Sequence, residues 1–164
     1  MATVQYCTPQ WLEENAKMYR SNPALQEKLK KLSGKMCYRI KAEQAWGIDR
    51  DIIFGIFIEN GRLTNLAFFN EEDASNEAEY VIGATPQVWK KILRKERKFL
   101  TDFMLGSIRL EQGSKVGVLG LAPHANNIVD ILTQIELQFP DELSAEELAE
   151  YRLQMEDFRA NLGV

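Results

Sequence analysis

Two cysteines, Cys7 and Cys37, a single histidine, His124, and the acidic run Glu71-Glu72-Asp73 are the residues whose types could do chemistry here. With one histidine, a metal cluster of several histidines is excluded, and a zinc site would need both cysteines and carboxylates to converge from distant segments. A cysteine nucleophile with His124 as base is a pairing only the fold can make, and no local signature surrounds either thiol. The commoner reading of such residues is two buried thiols and a loop histidine. The three acids sit in a polar stretch, Asn70 to Asn76, and read as solvated groups before they read as an acid and base pair. No phosphate-binding loop, nucleophile elbow or paired-histidine zinc motif is present. VGVLGLAP, around Gly117 and Gly120, lacks the third glycine of a dinucleotide fingerprint and reads as a glycine-relieved strand.

The elements that must position these residues follow from the hydrophobic pattern. Thr8-Pro9 and Asn22-Pro23 are helix starts, and apolar residues at helical spacing predict helices over 9–20 and on to Ser33-Gly34. Met36 to Ala42 alternates and predicts a half-buried strand. DIIFGIFIE, Asn60-Gly61 and RLTNLAFF predict a hairpin, because both turn residues tolerate positive φ. Its first strand is apolar on both sides, with Ile52, Phe54, Ile56 and Ile58 on one face and Ile53, Gly55 and Phe57 on the other.

Another strand is expected around Tyr80 to Ile82. Thr85-Pro86 then starts a helix that buries Val88, Trp89, Ile92 and Leu93 and carries Lys90, Lys91, Arg94, Lys95, Arg97 and Lys98 outside. A helical piece bearing Phe99, Leu100, Phe103 and Met104 runs to Gly106, and Lys115 to Leu121 reads as the last strand. Asn126 and Asn127 are taken as caps of a helix with Ile128, Ile131, Leu132 and Ile135, ended by Pro140. Ser144 and Glu147 form a capping box before a helix over 144–162, whose seam is Leu148, Tyr151, Met155, Phe158 and Leu162.

The 164 residues and 45% hydrophobic content suit one domain with an ordinary core and an internal apolar cavity. A net charge of -4 argues against nucleic acid as a partner. Met1 to Thr8 carry neither a basic nor an apolar signal region, and no stretch approaches the roughly 18 apolar residues of a membrane span. With two unpaired cysteines, the cytoplasm is the expected location.

Three segments together resemble the sterol carrier protein-2 family. FMLGSIRLEQGSKVGVLGL, Phe103 to Leu121, looks like that family's segment of the form apolar-apolar-x-G-x-apolar-x-apolar-x-x-G. AEYVIGATPQVWKKIL resembles its strand and helix start, and DIIFGIFIENGRL its hairpin, so that the likeness spans roughly residues 36–138. The basic run RKERK departs from the family pattern, which has a glycine-containing turn there.

The resemblance implies an α/β (α+β) fold, with a five-stranded, largely antiparallel sheet covered by helices around an apolar tunnel. It implies non-catalytic binding or transfer of a sterol, fatty acid or acyl-CoA, with no cofactor. Residues carried into the tunnel are Phe54, Phe57, Trp89, Leu93, Leu100, Phe103, Met104, Ile108 and Leu110, closed on one side by Ile128, Ile131 and Leu132. Helices 9–33 and 144–162 flank this unit.

Lys90, Lys91, Arg94 and Lys95 are candidates for contact with an anionic membrane. Two other classes remain open at this stage. One is an interaction module in which the 144–162 helix pairs two copies into a homodimer, and the other is a small enzyme using Cys7 or Cys37.

Overall fold

The computed structural model describes residues 3–164. A short strand, β1 (Thr3–Gln5), leads into α1 (Pro9–Arg20), where the Thr8 hydroxyl accepts from the Trp11 amide and proline occupies the first turn. Asn22 caps α2 (Pro23–Lys28) in the same way. Then come β2 (Gly34–Ile40), β3 (Ile52–Glu59) and β4 (Arg62–Phe69), with Asn60 and Gly61 at φ 50° and 79° in the tight turn between β3 and β4.

The polar stretch after β4 is α3 (Glu71–Glu77), capped by Asn70, whose side chain accepts from the Asp73 amide at 2.7 Å. Next are β5 (Tyr80–Ala84), α4 (Pro86–Leu93), α5 (Phe99–Leu105), β6 (Arg109–Gln112), α6 (Lys115–Leu121), α7 (Ala125–Leu132), β7 (Glu136–Gln138) and α8 (Ala145–Leu162).

Five strands form a mixed sheet in the order β4-β3-β2-β5-β6, antiparallel except where β5 returns parallel to β2. The β2–β5 connection therefore crosses over through the hairpin and α3. β1 and β7 pair in parallel as a separate two-stranded ribbon. Both are three residues long, too short for a periodic signal, and the sequence gives no sign of either.

Two corrections concern the chain after α5. Lys115 to Leu121 is a helix, not the last strand; Gly113, at φ 97°, turns the chain off β6, and the Ser114 hydroxyl accepts from the Gly117 amide at 3.0 Å to start α6. Alternating glycine and apolar residues match a strand, yet the same residues at spacing three, Val118 and Leu121, face inward on a helix. The last strand of the five-stranded sheet is β6. Asn126 and Asn127 do not cap α7, which grows from a single tight turn over 122–124, and it ends at Leu132 before β7 instead of running to Pro140.

The sheet is buried on both faces, as the two-sided apolar pattern of β3 requires. On one face Met36, Tyr38, Phe54, Ile56 and Ile82 join the main core, covered by α1, α2 and α4 to α8. The other face is smaller: Cys37, Ile53, Phe57, Phe69 and Val81 lie under α3. There Arg39 bridges Glu71 at 2.7 Å and Glu111 at 2.8 Å, with Asp51 at 3.4 Å.

The hydrogen bonds from Arg39 hold the Glu71 carboxyl below its ordinary range. A depressed folded-state pKa stabilises above the unfolded value, about 4.3, and that contribution is lost as pH falls through the folded one. Thermal melts should thus show Glu71→Gln less stable than wild type at pH 7, by no more than about 1 kcal/mol for so exposed a carboxylate. The gap should close below about pH 4.

The C-terminal helix starts at the expected capping box of Ser144 and Glu147. Its seam is spent on the chain's own body: Tyr151 donates to the Tyr6 carbonyl, Met155 is buried, and the Phe158 ring lies 5.2 Å from Phe68. Leu162 is exposed. Arg159 takes the inward place instead, donating to the carbonyls of Arg50 and Asp51.

Candidate functional site

Between the helix-covered face of the sheet and α4 to α7 lies an apolar void. The void measures about 50 Å³, or about 590 Å³ when all the space out to its solvent-open edge is counted. Its floor is Met36 and Tyr38 of β2 and Phe54 of β3. Tyr38 and Phe54 face each other across the β2–β3 pairing and stack with ring centroids 5.1 Å apart.

One wall is α4. Trp89 meets Tyr38 edge to face at 5.7 Å, its indole N–H donates to the Arg39 carbonyl at 2.9 Å, and Ile92 and Leu93 continue the wall. Phe99 at the start of α5 and Val118 and Leu121 of α6 close a second side. Ala125, Ile128, Val129 and Leu132 of α7 form the roof. A smaller void beside it, reaching Leu32, Ile56 and Ile58, shares the walls Met36, Tyr38, Leu121 and Ile128. Leu121 of α6 and Ile128 of α7 are the helix-side residues common to both.

The roof is held at its C-terminal end from α1. The Trp11 indole donates to the Leu132 carbonyl at 2.8 Å, and the buried Asn15 side chain accepts from the Gln134 amide at 2.6 Å while donating to the Trp11 carbonyl at 2.7 Å. The α6 end packs against β5. There the fixed point is Gly117, where an added Cβ would stand 2.0 Å from the Tyr80 hydroxyl.

No family model matches this sequence, and no curated protein does. Solved structures do resemble the fold. A crystal structure of sterol carrier protein 2 superposes on 78% of this chain and 97% of its own, with a TM-score of 0.66 and 17% identity. The solution structure of a conserved protein from Thermus thermophilus, described as possibly a sterol carrier protein, covers 80% of this chain and 90% of its own, with a TM-score of 0.66 and 18% identity. This chain has the sterol carrier protein 2 fold. Apo sterol carrier protein 2 from Yarrowia lipolytica is more distant, with a TM-score of 0.51 and 8% identity over 75% of this chain and 87% of that one.

On this sterol carrier fold the sequence-predicted residues divide. Phe54, Trp89, Leu93, Ile128 and Leu132 line the void. Phe103, Ile108 and Ile131 are buried in the same core without reaching the void, and Leu110 is half-buried at the edge strand. Three are corrected outright. Phe57 alternates with Phe54 and so packs on the opposite face, its ring 5.2 Å from Phe69. Leu100 and Met104 point outward, 46% and 59% exposed, because α5 turns only Phe99 and Phe103 inward, stacked at 5.7 Å.

Sequence reasoning missed Tyr6, Met36, Tyr38 and the α6 pair Val118 and Leu121. The alternation of β2 carried a signal for Met36 and Tyr38. Reading it required the strand register, which sets Tyr38 opposite Phe54. None of the α8 residues lines the void.

Burial pushes the Cys37 thiol up to about 12, with Glu77 adding to the rise, and burial pushes Cys7 up as well. Both thiols are therefore held protonated, the opposite of an activated nucleophile. A thiol-reactive reagent at pH 7 should modify neither in the native protein and both after denaturation, a contrast that mass spectrometry reads directly; rapid native labelling would revive a catalytic cysteine. Among the described residues no group of three or more His, Cys, Asp and Glu is placed to hold a metal ion, and no helix is long and apolar enough to cross a membrane.

Most of the basic run is neutralised within the protein. Lys90 pairs with Asp141 at 2.8 Å, Arg94 with Glu142 at 2.9 Å, Lys95 with Asp130 at 2.7 Å and Arg97 with Asp102 at 2.6 Å. Of the four candidates for membrane contact, only Lys91 has no ion pair among the described residues.

Proposed function

We propose that this chain binds and carries a hydrophobic ligand, a sterol, a fatty acid or an acyl-CoA, along the helix-covered face of its sheet, and that it does so without catalysis. The observation that carries this reading is the void itself, walled by apolar side chains from β2, β3 and four helices. Such a site gains affinity by removing apolar surface from water, at roughly 25 cal/mol per Å², and has few directional contacts with which to choose between ligands. The sterol carrier fold supports the same reading.

The enclosed space is far below the roughly 300–1,000 Å³ of a small-molecule site. Binding a whole lipid therefore requires the roof to move, merging the two voids into a tunnel. Helices α6 and α7 are the elements to give way, since Leu121 and Ile128 are half-buried and belong to both walls. Trp11 and Asn15 keep the far end of α7 in place while this happens.

The whole chain acts as one ligand-binding unit in this proposal, with the N-terminal helices clamping the roof and α8 bracing the core from outside the void. Two unpaired cysteines suit work in a reducing compartment, the cytoplasm. Native mass spectrometry of the purified protein, followed by lipid extraction, tests the reading: a co-purifying lipid, or saturable binding of a fluorescent fatty acid that cholesterol or palmitoyl-CoA displaces, is expected. A protein that carries no lipid and binds none of these probes would end the proposal.

A further inference from the structure

Tyr6, just past β1, is fully buried and lines the void, yet its hydroxyl has no hydrogen-bond partner among the described residues. Buried polar atoms are nearly always satisfied, so an exception asks for a cause. Arg152 Nε is also without a hydrogen bond, but it stands 3.3 Å from the Asp49 carboxylate. Burial pushes the ionisation of the Tyr6 hydroxyl far up, and the Cys7 thiol comes near enough to add to that rise without reaching hydrogen-bonding geometry. The group is therefore a neutral O–H, able to donate one bond and accept another.

The rest of the residue is fixed. Its amide donates to the Gln138 carbonyl at 3.0 Å, its carbonyl accepts from the Tyr151 hydroxyl, and its ring packs on Trp11 and Phe139 with centroids 5.1 and 5.0 Å apart. None of these partners lines the void, so it is the far end of the Tyr6 side chain that reaches it. Trp11 in turn meets Phe54 at 5.1 Å and holds the Leu132 carbonyl, which sets Tyr6 at the anchored end of the roof. The second void lies the other way along β3, at Ile56 and Ile58, and Tyr6 has no part in it.

Other polar side-chain atoms of the wall are already bonded: the Tyr38 hydroxyl donates to the Met36 sulfur at 3.6 Å, and the Trp89 indole to the Arg39 carbonyl. No lining residue carries a charge. Arg159, the cation that bears on Cys7, is turned to the carbonyls of Arg50, Asp51 and Val164. An ionised carboxylate drawn in to Tyr6 would thus be buried without a cation, whereas an alcohol exchanges a hydrogen bond to water for one to the tyrosine.

We infer that the Tyr6 hydroxyl anchors the ligand's head group and that this head group is a neutral alcohol, seated beside Phe54 with the hydrocarbon running along β3 toward Ile58. The inference rests on the carrier reading and narrows it: among ligands an apolar wall accepts, the site favours those ending in a hydroxyl over those ending in a carboxylate. Long-chain alcohols and sterols share that chemistry.

Trp89 in the wall and Trp11 against the Tyr6 ring let intrinsic fluorescence read the binding of unlabelled ligands. Titrating wild type and Tyr6→Phe with dodecan-1-ol, dodecane and dodecanoate, and with cholesterol and cholestane, forms a cycle in which each ligand's own solubility cancels. Tyr6→Phe should weaken dodecan-1-ol or cholesterol about tenfold, the effect of one hydrogen bond, and leave dodecane, cholestane and dodecanoate within about twofold. Whichever alcohol shows the loss identifies the source as a straight chain or a sterol. Without ligand, Tyr6→Phe should melt no lower than wild type, because phenylalanine keeps the ring and removes only an unsatisfied group.

Equal losses for alcohol and alkane, no loss for either alcohol, or a loss for dodecanoate as large as for the alcohol would overturn the inference and leave the carrier reading in place. So would a ligand-free variant that melts clearly lower, since the hydroxyl would then be satisfied within the fold by Cys7 or a water. A wild type that binds none of these probes and no fluorescent fatty acid strikes the carrier reading, and the inference with it.

Discussion

Replacing Trp89 by alanine is expected to destabilise the protein by about 3–5 kcal/mol, enough to leave a domain of ordinary stability partly unfolded. The side chain is 6% exposed, stands edge to face on Tyr38, and its indole N–H is bonded to the Arg39 carbonyl of the central strand β2. Truncation enlarges the void that Trp89 walls, where the loss scales with the cavity left behind, and it deprives a backbone carbonyl of its donor. Urea denaturation measures the cost. Trp89→Phe, which keeps most of the ring surface and loses the hydrogen bond, should recover more than half of it. A loss under about 1 kcal/mol for Trp89→Ala would mean that α4 does not depend on this anchor.

The second large effect is on binding. Ile128 lies on α7 in the wall of both voids, and Ile128→Trp directs an indole into the space where they would merge. Because affinity in such a site follows apolar area removed from water, filling the merging point should weaken a fluorescent fatty acid by about tenfold to a hundredfold. Stability should change less, by about 1–3 kcal/mol at most, since Ile128 is only half-buried and α7 has room to adjust. Fluorescence titration beside a thermal melt separates the two effects. Unchanged affinity in a folded Ile128→Trp protein would place the ligand elsewhere. The two substitutions thus probe different properties of one wall: α4 holds the fold through Trp89, and α7 gates the space.

What the chain reveals locally comes from groups that act within a few residues. Thr8-Pro9, Asn22-Pro23, Thr85-Pro86 and the Ser144/Glu147 box all start helices where expected, because a side-chain oxygen three residues upstream of a free amide needs nothing from the rest of the protein. Asn60-Gly61 makes its turn for the same reason. Lys115 to Leu121 fails because VGVLGL fits period two and spacing three equally well; Ser114, which caps it as a helix, speaks only once Gly113 has turned the chain away from the sheet.

The site was less legible than the fold. Trp89, Leu93, Ile128 and Leu132 are readable as the inward stripes of two amphipathic helices. Met36, Tyr38, Val118 and Leu121 enter the wall through register and helix placement, which no local pattern encodes. Leu100 and Met104 show the converse: apolar residues in the right segment that the rotation of a short helix turns outward. The ion pairs of Lys90, Arg94 and Lys95 belong here too, since their partners lie 35 to 51 residues away and cancel a charge that looks free in the sequence.

By itself, then, the sequence determined the helix starts, the hairpin and the two-sided burial of β3, all set by interactions a few residues long. The tertiary structure alone decided which face of that strand fronts a void, which helices wall it, and which charges stay unpaired. Those depend on register and on packing between segments far apart in the chain, where the free energy lies in contacts that exist only after the chain has closed on itself.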